Sequence, residues 1–230
     1  MKESTTKLSG FIRENRERKK NLWRNNIILF LALVLVIFIL PVLNSLGEIV
    51  SRGILGLVVI SGIFAAEFRR KVFVILLLLG TAAITTMAIG MILQDARSVN
   101  VAAFLLMTAS LIISTMALVL HIAGSESADR STILCAINSY LMIGLTASVL
   151  FIIVDLIFPG SFNHLQGVSG DLHSYIYFGF VTLTTLGYGD ITPAEPLARS
   201  LAAFVALAGQ LYMVIIMALI IGKYLNTQKR

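Results

Sequence analysis

Thr182-Leu183-Thr184-Thr185-Leu186-Gly187-Tyr188-Gly189-Asp190 stands between the last two apolar segments of the chain. Gly187 and Gly189 alternate with larger residues. That pattern suits a backbone whose successive carbonyls face one way, because such a ribbon needs dihedrals that a Cβ disfavours. The apolar segment before it, 174–184, is too short as a helix to cross a bilayer, whereas Leu197–Leu225 after it has full span length. A Gly-Tyr-Gly turn capped by Asp190 in an ordinary loop is the plain alternative, but such a loop does not follow a half-span. Non-helical backbone at mid-membrane depth is tolerated only where protein buries it or where it lines a water-filled path.

Composition points the same way. The 230 residues are 57% hydrophobic and 13% charged, with a mean hydropathy of +0.91, which excludes a water-soluble domain of this size. Spans are expected near Asn26–Leu43, Leu46–Ala66, Val72–Leu93, Val101–Ile122, Ile133–Phe158 and Leu197–Leu225. Glu48 and Arg52 fall inside the second, one helical turn apart in the acid-before-base order that favours pairing. The expected fold is therefore an all-α membrane protein of six transmembrane helices, with a re-entrant helix and loop between helices five and six.

Charge sets the orientation. Of the 18 Lys and Arg, fifteen lie in the N-terminal tail, after the second and fourth spans, or after the sixth; only Arg52, Arg97 and Arg199 fall on the other side. Both termini are thus expected in the cytoplasm. Glu48, Asp95, Asp155, Asp171, Asp190 and Glu195 gather outside, where they would concentrate cations. The basic tail, residues 1–25, is too long for the head of a secretory signal. Leu8, Phe11 and Ile12 recur in it at helical spacing, with Leu22 and Trp23 at the membrane edge, which suits an interfacial helix on anionic lipid.

Thr182 to Asp190 resembles the potassium-channel signature T-x-x-T-x-G-Y-G-D. The resemblance implies a selectivity filter in which the carbonyls of Thr185, Leu186, Gly187 and Tyr188, with the Thr185 hydroxyl, replace the water shell of K+ ions, and Gly189 completes the strand. Leu186 departs from the commoner Val or Ile. Asp190, Tyr177 and Thr184 are the expected filter supports. Tyr177 and Phe178 stand where many family members carry Trp, and the Tyr177 hydroxyl is placed to reach Asp190. Val181 stands where some bacterial relatives have a Glu that pairs with the Asp after the filter. One filter loop supplies a quarter of each carbonyl ring, so a homotetramer in the cell membrane is implied. The short helix before the filter would aim its C-terminal carbonyls at a water-filled cavity.

The last span extends the resemblance. Gly209 follows Gly189 by the interval at which related inner helices carry a hinge glycine, although small residues in membrane helices also serve close packing. Below it, Gln210, Met213, Met217 and Ile221 share one face, assigned to the inner pore, with Met217 and Ile221 as a hydrophobic gate. An ordinary packing seam is the alternative.

By span count and layout, residues 26–122 resemble the four-helix voltage-sensor domain of six-span potassium channels, but Val101–Leu120 carries no Arg or Lys, so the domain is expected to lack gating charges. Residues 123–132 form a cytoplasmic linker and 133–230 the pore domain, and no cytoplasmic ligand-binding domain is expected after the sixth span. Cys135 stands alone, and His121, His164 and His173 show no metal-ligand spacing. No catalytic residues, enzyme activity, cofactor or nucleic-acid surface is expected. Function reads as voltage-independent potassium transport, with a weakly selective cation channel or a non-conducting regulatory subunit as alternatives.

Overall fold

The computed structural model describes residues 17, 20–39, 47–65, 70–92, 97–125, 127–163 and 172–228. Helix α1, Lys20–Ile39, closes in a π-wound turn at Leu35–Ile39. It is followed by α2 (Gly47–Ala65), α3 (Arg70–Ile92), α4 (Arg97–Gly124), α5 (Arg130–Ile157), α6 (Leu172–Leu183) and α7 (Pro196–Gln228). Two-residue strands β1 (Phe162–Asn163) and β2 (Thr192–Pro193) pair antiparallel between them, Phe162 opposite Pro193. Among the described residues, five helices are long and apolar enough to cross a membrane: Lys20–Ile39, Val72–Ile92, Arg97–Gly124, Arg130–Ile157 and Pro196–Leu225. In α2 the apolar stretch Val50–Ala65 is shorter. The tail up to residue 16, together with Asp95, His164 and Asp171, lies outside the described residues.

Several helices overrun the apolar boundaries, because polar ends protrude beyond hydrocarbon and still find partners. At the start of α1, Leu22 is buried, and Asn26 donates to Leu22 O at 3.0 Å and to Ala65 O, the end of α2, at 2.7 Å. Helix α5 begins at Arg130 because Asp129 caps it, its carboxylate accepting from Thr132 N at 2.8 Å. With α4 running to Gly124, the expected linker over 123–132 contracts to residues 125–129. At α7, Pro196 occupies the first helical position, where its missing N–H costs nothing.

Helices α2, α3 and α4 pack on one another, α4 packs on α5, and α5 carries both α6 and α7. Side-chain amides join α1 to this set. Asn25 donates to Phe64 O at 2.8 Å. Asn138, buried in α5, donates to Asn26 O at 2.8 Å and to its side-chain oxygen at 3.1 Å. Interhelical hydrogen bonds of this kind contribute about 0.6 to 2 kcal/mol each in a bilayer.

Two cations fasten helix ends. Arg97, opening α4, donates to Leu156 O and, at 2.7 Å, to Ile157 O at the end of α5. Lys223, near the end of α7, donates to Ile122 O, to Ala123 O at 3.0 Å and to Ser125 O at 2.6 Å, at the end of α4. Both positive charges meet the carbonyls that a helix terminus leaves without intrahelical donors. Arg52 donates to the Asn100 side chain at 3.2 Å, while the side chain of its expected partner Glu48 lies outside the described residues.

Candidate functional site

Helix α6 sits directly against α5. A Cβ on Gly179 would lie 2.1 Å from Ser148 Oγ, and one on Gly144 would lie 2.5 Å from Phe180 Cε1, so small residues on both helices permit the approach. At the N-terminal half of α6, Tyr175 donates to Asp155 at 2.6 Å, and the other oxygen of Asp155 accepts from Ser161 N at 3.0 Å. Phe178 is buried, its ring 4.7 Å from that of Phe151 and 5.3 Å from that of Phe162. The short helix is thereby held in its N-terminal half and along its back.

The chain leaving α6 folds back on the helix terminus. Thr184 N donates to Phe180 O at 3.0 Å and Thr185 N to Thr182 O at 3.0 Å, while Leu186 N and Gly187 N both reach Val181 O, at 3.0 and 3.3 Å. The Thr184 hydroxyl also donates to Phe180 O, at 2.7 Å. The carbonyls of Phe180, Val181 and Thr182, expected to face a cavity, are thus engaged by the residues that follow.

Backbone handedness alternates through the ribbon. Thr185 has φ +59°, Gly187 +54° and Gly189 +81°, while Leu186 and Tyr188 are not in the positive region. Such alternation turns successive N–H groups to one side and leaves carbonyls on the other, consistent with two N–H groups meeting at Val181 O. Nothing lies within 4 Å of a Cβ built on Gly187 or Gly189, so their requirement is the dihedral itself. Thr185 is the non-glycine residue with positive φ among those described, a strain of about 1 to 3 kcal/mol for a β-branched side chain. Residues 184–190 are exposed in the single chain, Tyr188 at 67%.

At the far end of the ribbon, the Tyr177 hydroxyl donates to Asp190 at 2.6 Å, and the other Asp190 oxygen accepts from Ile191 N at 3.0 Å. That hydrogen bond to the carboxylate raises the Tyr177 pKa to about 12, so the phenol remains a donor at neutral pH.

Helix α7 meets the near end. A Cβ on Gly209 would lie 2.1 Å from Leu183 O, which gives this glycine a packing requirement independent of any bend, and α7 is continuous through it. Gln210 Nε2 donates to Thr185 Oγ1 at 3.1 Å. Val205 and Ile216 are buried and Tyr212 donates to Ala136 O at 2.7 Å, so that side of α7 faces the body of the chain. Met213, Met217 and Ile221 are about half exposed, as are Leu207, Leu211, Val214 and Ile215. The chain itself leaves these faces of α7 uncovered.

Sequence reasoning missed the approach of Gly179 to Ser148, the left-handed Thr185, and the carbonyl caps made by Arg97 and Lys223. Only the first left a trace, the small-residue spacing of Gly144 and Ser148. Among the described residues, no group of His, Cys, Asp or Glu is arranged to hold a metal ion.

A short helix docked on a longer one, an exposed ribbon of alternating handedness, and a second long helix closing its base make up the C-terminal part of an apolar, multi-helix chain. Residues 140–226 match the model of a family described as ion channel. Over 71 residues the chain is 35% identical to the two pore potassium channel c of Oryza sativa subsp. japonica, a match covering 31% of this chain and 16% of that relative. The chain therefore aligns with about a sixth of the length of that protein. No solved structure matches. The ion-channel match and the apolar helices support a multi-pass membrane protein of ion-channel type.

Proposed function

We propose that this chain is the subunit of a potassium-selective channel that conducts K+ passively through a tetrameric pore. The observation that carries the reading is the alternation of positive φ at Thr185, Gly187 and Gly189 within Thr182–Asp190, with the N–H groups of Leu186 and Gly187 held on Val181 O. The carbonyls of Thr185, Leu186, Gly187 and Tyr188 then form one column, and four such columns around an axis give the rings of oxygens that a dehydrated K+ needs. Exposure of the ribbon and of α7 is what a chain destined for such an assembly leaves for its neighbours to cover. The similarity to a protein named as a potassium channel supports the choice of ion.

In this reading α1 to α4 form the sensor-like domain without gating charges, α5 the outer helix, α6 the pore helix and α7 the inner helix, with α2 completing six spans. Both termini are cytoplasmic, the filter opens outside, and the basic tail lies on anionic lipid. Gating is largely independent of voltage. The test is ion flux from the purified chain in liposomes, with K+ and Na+ compared. Strong preference for K+ is the expected result. Equal permeation makes it a weakly selective cation channel, and absence of flux makes it a non-conducting subunit.

A further inference from the structure

Thr185 is held by a group from another helix. Its backbone sits at φ +59°, a region that β-branched residues avoid, and its hydroxyl accepts from the Gln210 amide of α7 at 3.1 Å. Gln210 follows directly on Gly209, whose backbone abuts Leu183 O. Two adjacent residues of α7 therefore grip the base of the ribbon, one by close approach and one by a hydrogen bond. The packing of Gly209 on Leu183 fixes where the Gln210 side chain starts, within reach of Thr185.

We propose that Gln210 is a positioning residue for the innermost ion site, its N–H fixing the Thr185 hydroxyl and so setting how tightly that site holds an ion. The inference rests on the filter reading of residues 185–189. A hydroxyl oxygen offers two lone pairs and one rotatable proton. With Gln210 donating to one lone pair, the torsion of the side chain is set and the remaining lone pair has one direction. An ion then meets an oxygen already in place, and no rotamer freedom has to be given up on binding. Without the amide donor the hydroxyl can also occupy the other staggered positions open to a threonine, and the site loses part of that advance ordering.

The test uses the full chain in planar bilayers, with Ba2+ applied from the side of the α7 C-terminus. Ba2+ is close to K+ in size but doubly charged, so it dwells in a K+ site and blocks. Gln210→Met keeps side-chain length and removes the donor. Block is expected to weaken about 2- to 10-fold, the effect of one hydrogen bond, with K+ still preferred over Na+. In a Thr185→Ala background the same substitution is expected to add no further change, since the acceptor is gone. Unchanged or stronger block in Gln210→Met, an equal loss in the Thr185→Ala background, or loss of selectivity along with block overturns the proposal. Should Gln210→Met fail to assemble, Gln210→Asn, whose amide is too short to reach, is measured with the same expectations. Absence of K+-selective current in the unmodified chain would be a failure of the filter reading itself, and the role of Gln210 falls with it.

Discussion

The Tyr177 hydroxyl and the Asp190 carboxylate, thirteen residues apart, meet at 2.6 Å. The contact joins the middle of α6 to the residue that ends the ribbon, so the far end of the ribbon is braced from behind within the same chain. Tyr177→Phe removes the donor and leaves the carboxylate less tied. Sustained K+ current is expected to decline severalfold faster in this variant. Asp190→Asn added to it should bring little further change, because both substitutions act on the same bond, one removing its donor and the other the charge on its acceptor. Additive effects of the two would break the link. The raised Tyr177 pKa, about 12, gives the pH dependence its sign. The brace is fully present below the ordinary tyrosine value of about 10 and is lost as pH rises through about 12. The contribution of Tyr177, read as the difference from Tyr177→Phe, is therefore expected to be constant from pH 6 to about pH 9.

Gly187→Ala tests the backbone requirement alone. Nothing lies within 4 Å of the added Cβ, so the cost is the left-handed dihedral, about 1 to 2 kcal/mol per subunit. Assembly is expected to survive while selective K+ flux is lost. A variant that conducts K+ as selectively as the parent would remove Gly187 from the filter.

Gly209→Ala separates packing from bending. Its Cβ would sit 2.1 Å from a backbone carbonyl that has no room to yield, an overpacking cost of about 1 to 3 kcal/mol. The purified assembly should melt at lower temperature and conduct less. Gly222→Ala, on the same helix with open space around it, is the control and should gain about 0.5 to 1 kcal/mol. A Gly209 variant that is as stable as the parent yet opens poorly would assign the glycine to a hinge.

Met217→Asp and Ile221→Asp test the gate. Both side chains are about half exposed, so an acid at either position faces no partner within the chain. Hydrating an apolar ring is expected to raise resting K+ flux with filter selectivity intact. Variants that assemble normally without added flux would place the constriction elsewhere.

Open probability is expected to change little with voltage, since the stretch from Val101 to Leu120 holds no basic residue to move through the field. A measured gating charge of several elementary charges per subunit would contradict this.

Much of the helical layout was legible in the sequence because long apolar helices are written in consecutive residues. Leu197–Leu225 anticipated α7 closely, and the hydroxyl of Tyr177 was placed within reach of Asp190. What escaped was chemistry between distant segments. No local pattern reveals that Gln210 reaches Thr185, that Lys223 caps the end of α4, or that Asn138 pairs with Asn26, since each depends on how helices dock. Boundaries slipped for a different reason. Hydropathy marks where hydrocarbon ends, whereas the helix ends at its caps, as Asp129 shows for α5.

Val181 with Leu186 and Gly187, Tyr177 with Asp190, Leu183 with Gly209, and Thr185 with Gln210 all join residues between 177 and 210 of one chain. The ribbon's contacts with these neighbours all come from its own chain. A segment wired in this way is a natural unit of inheritance: a gene can copy it, place it behind a different set of helices, or repeat it in tandem, and each copy brings its internal bracing along.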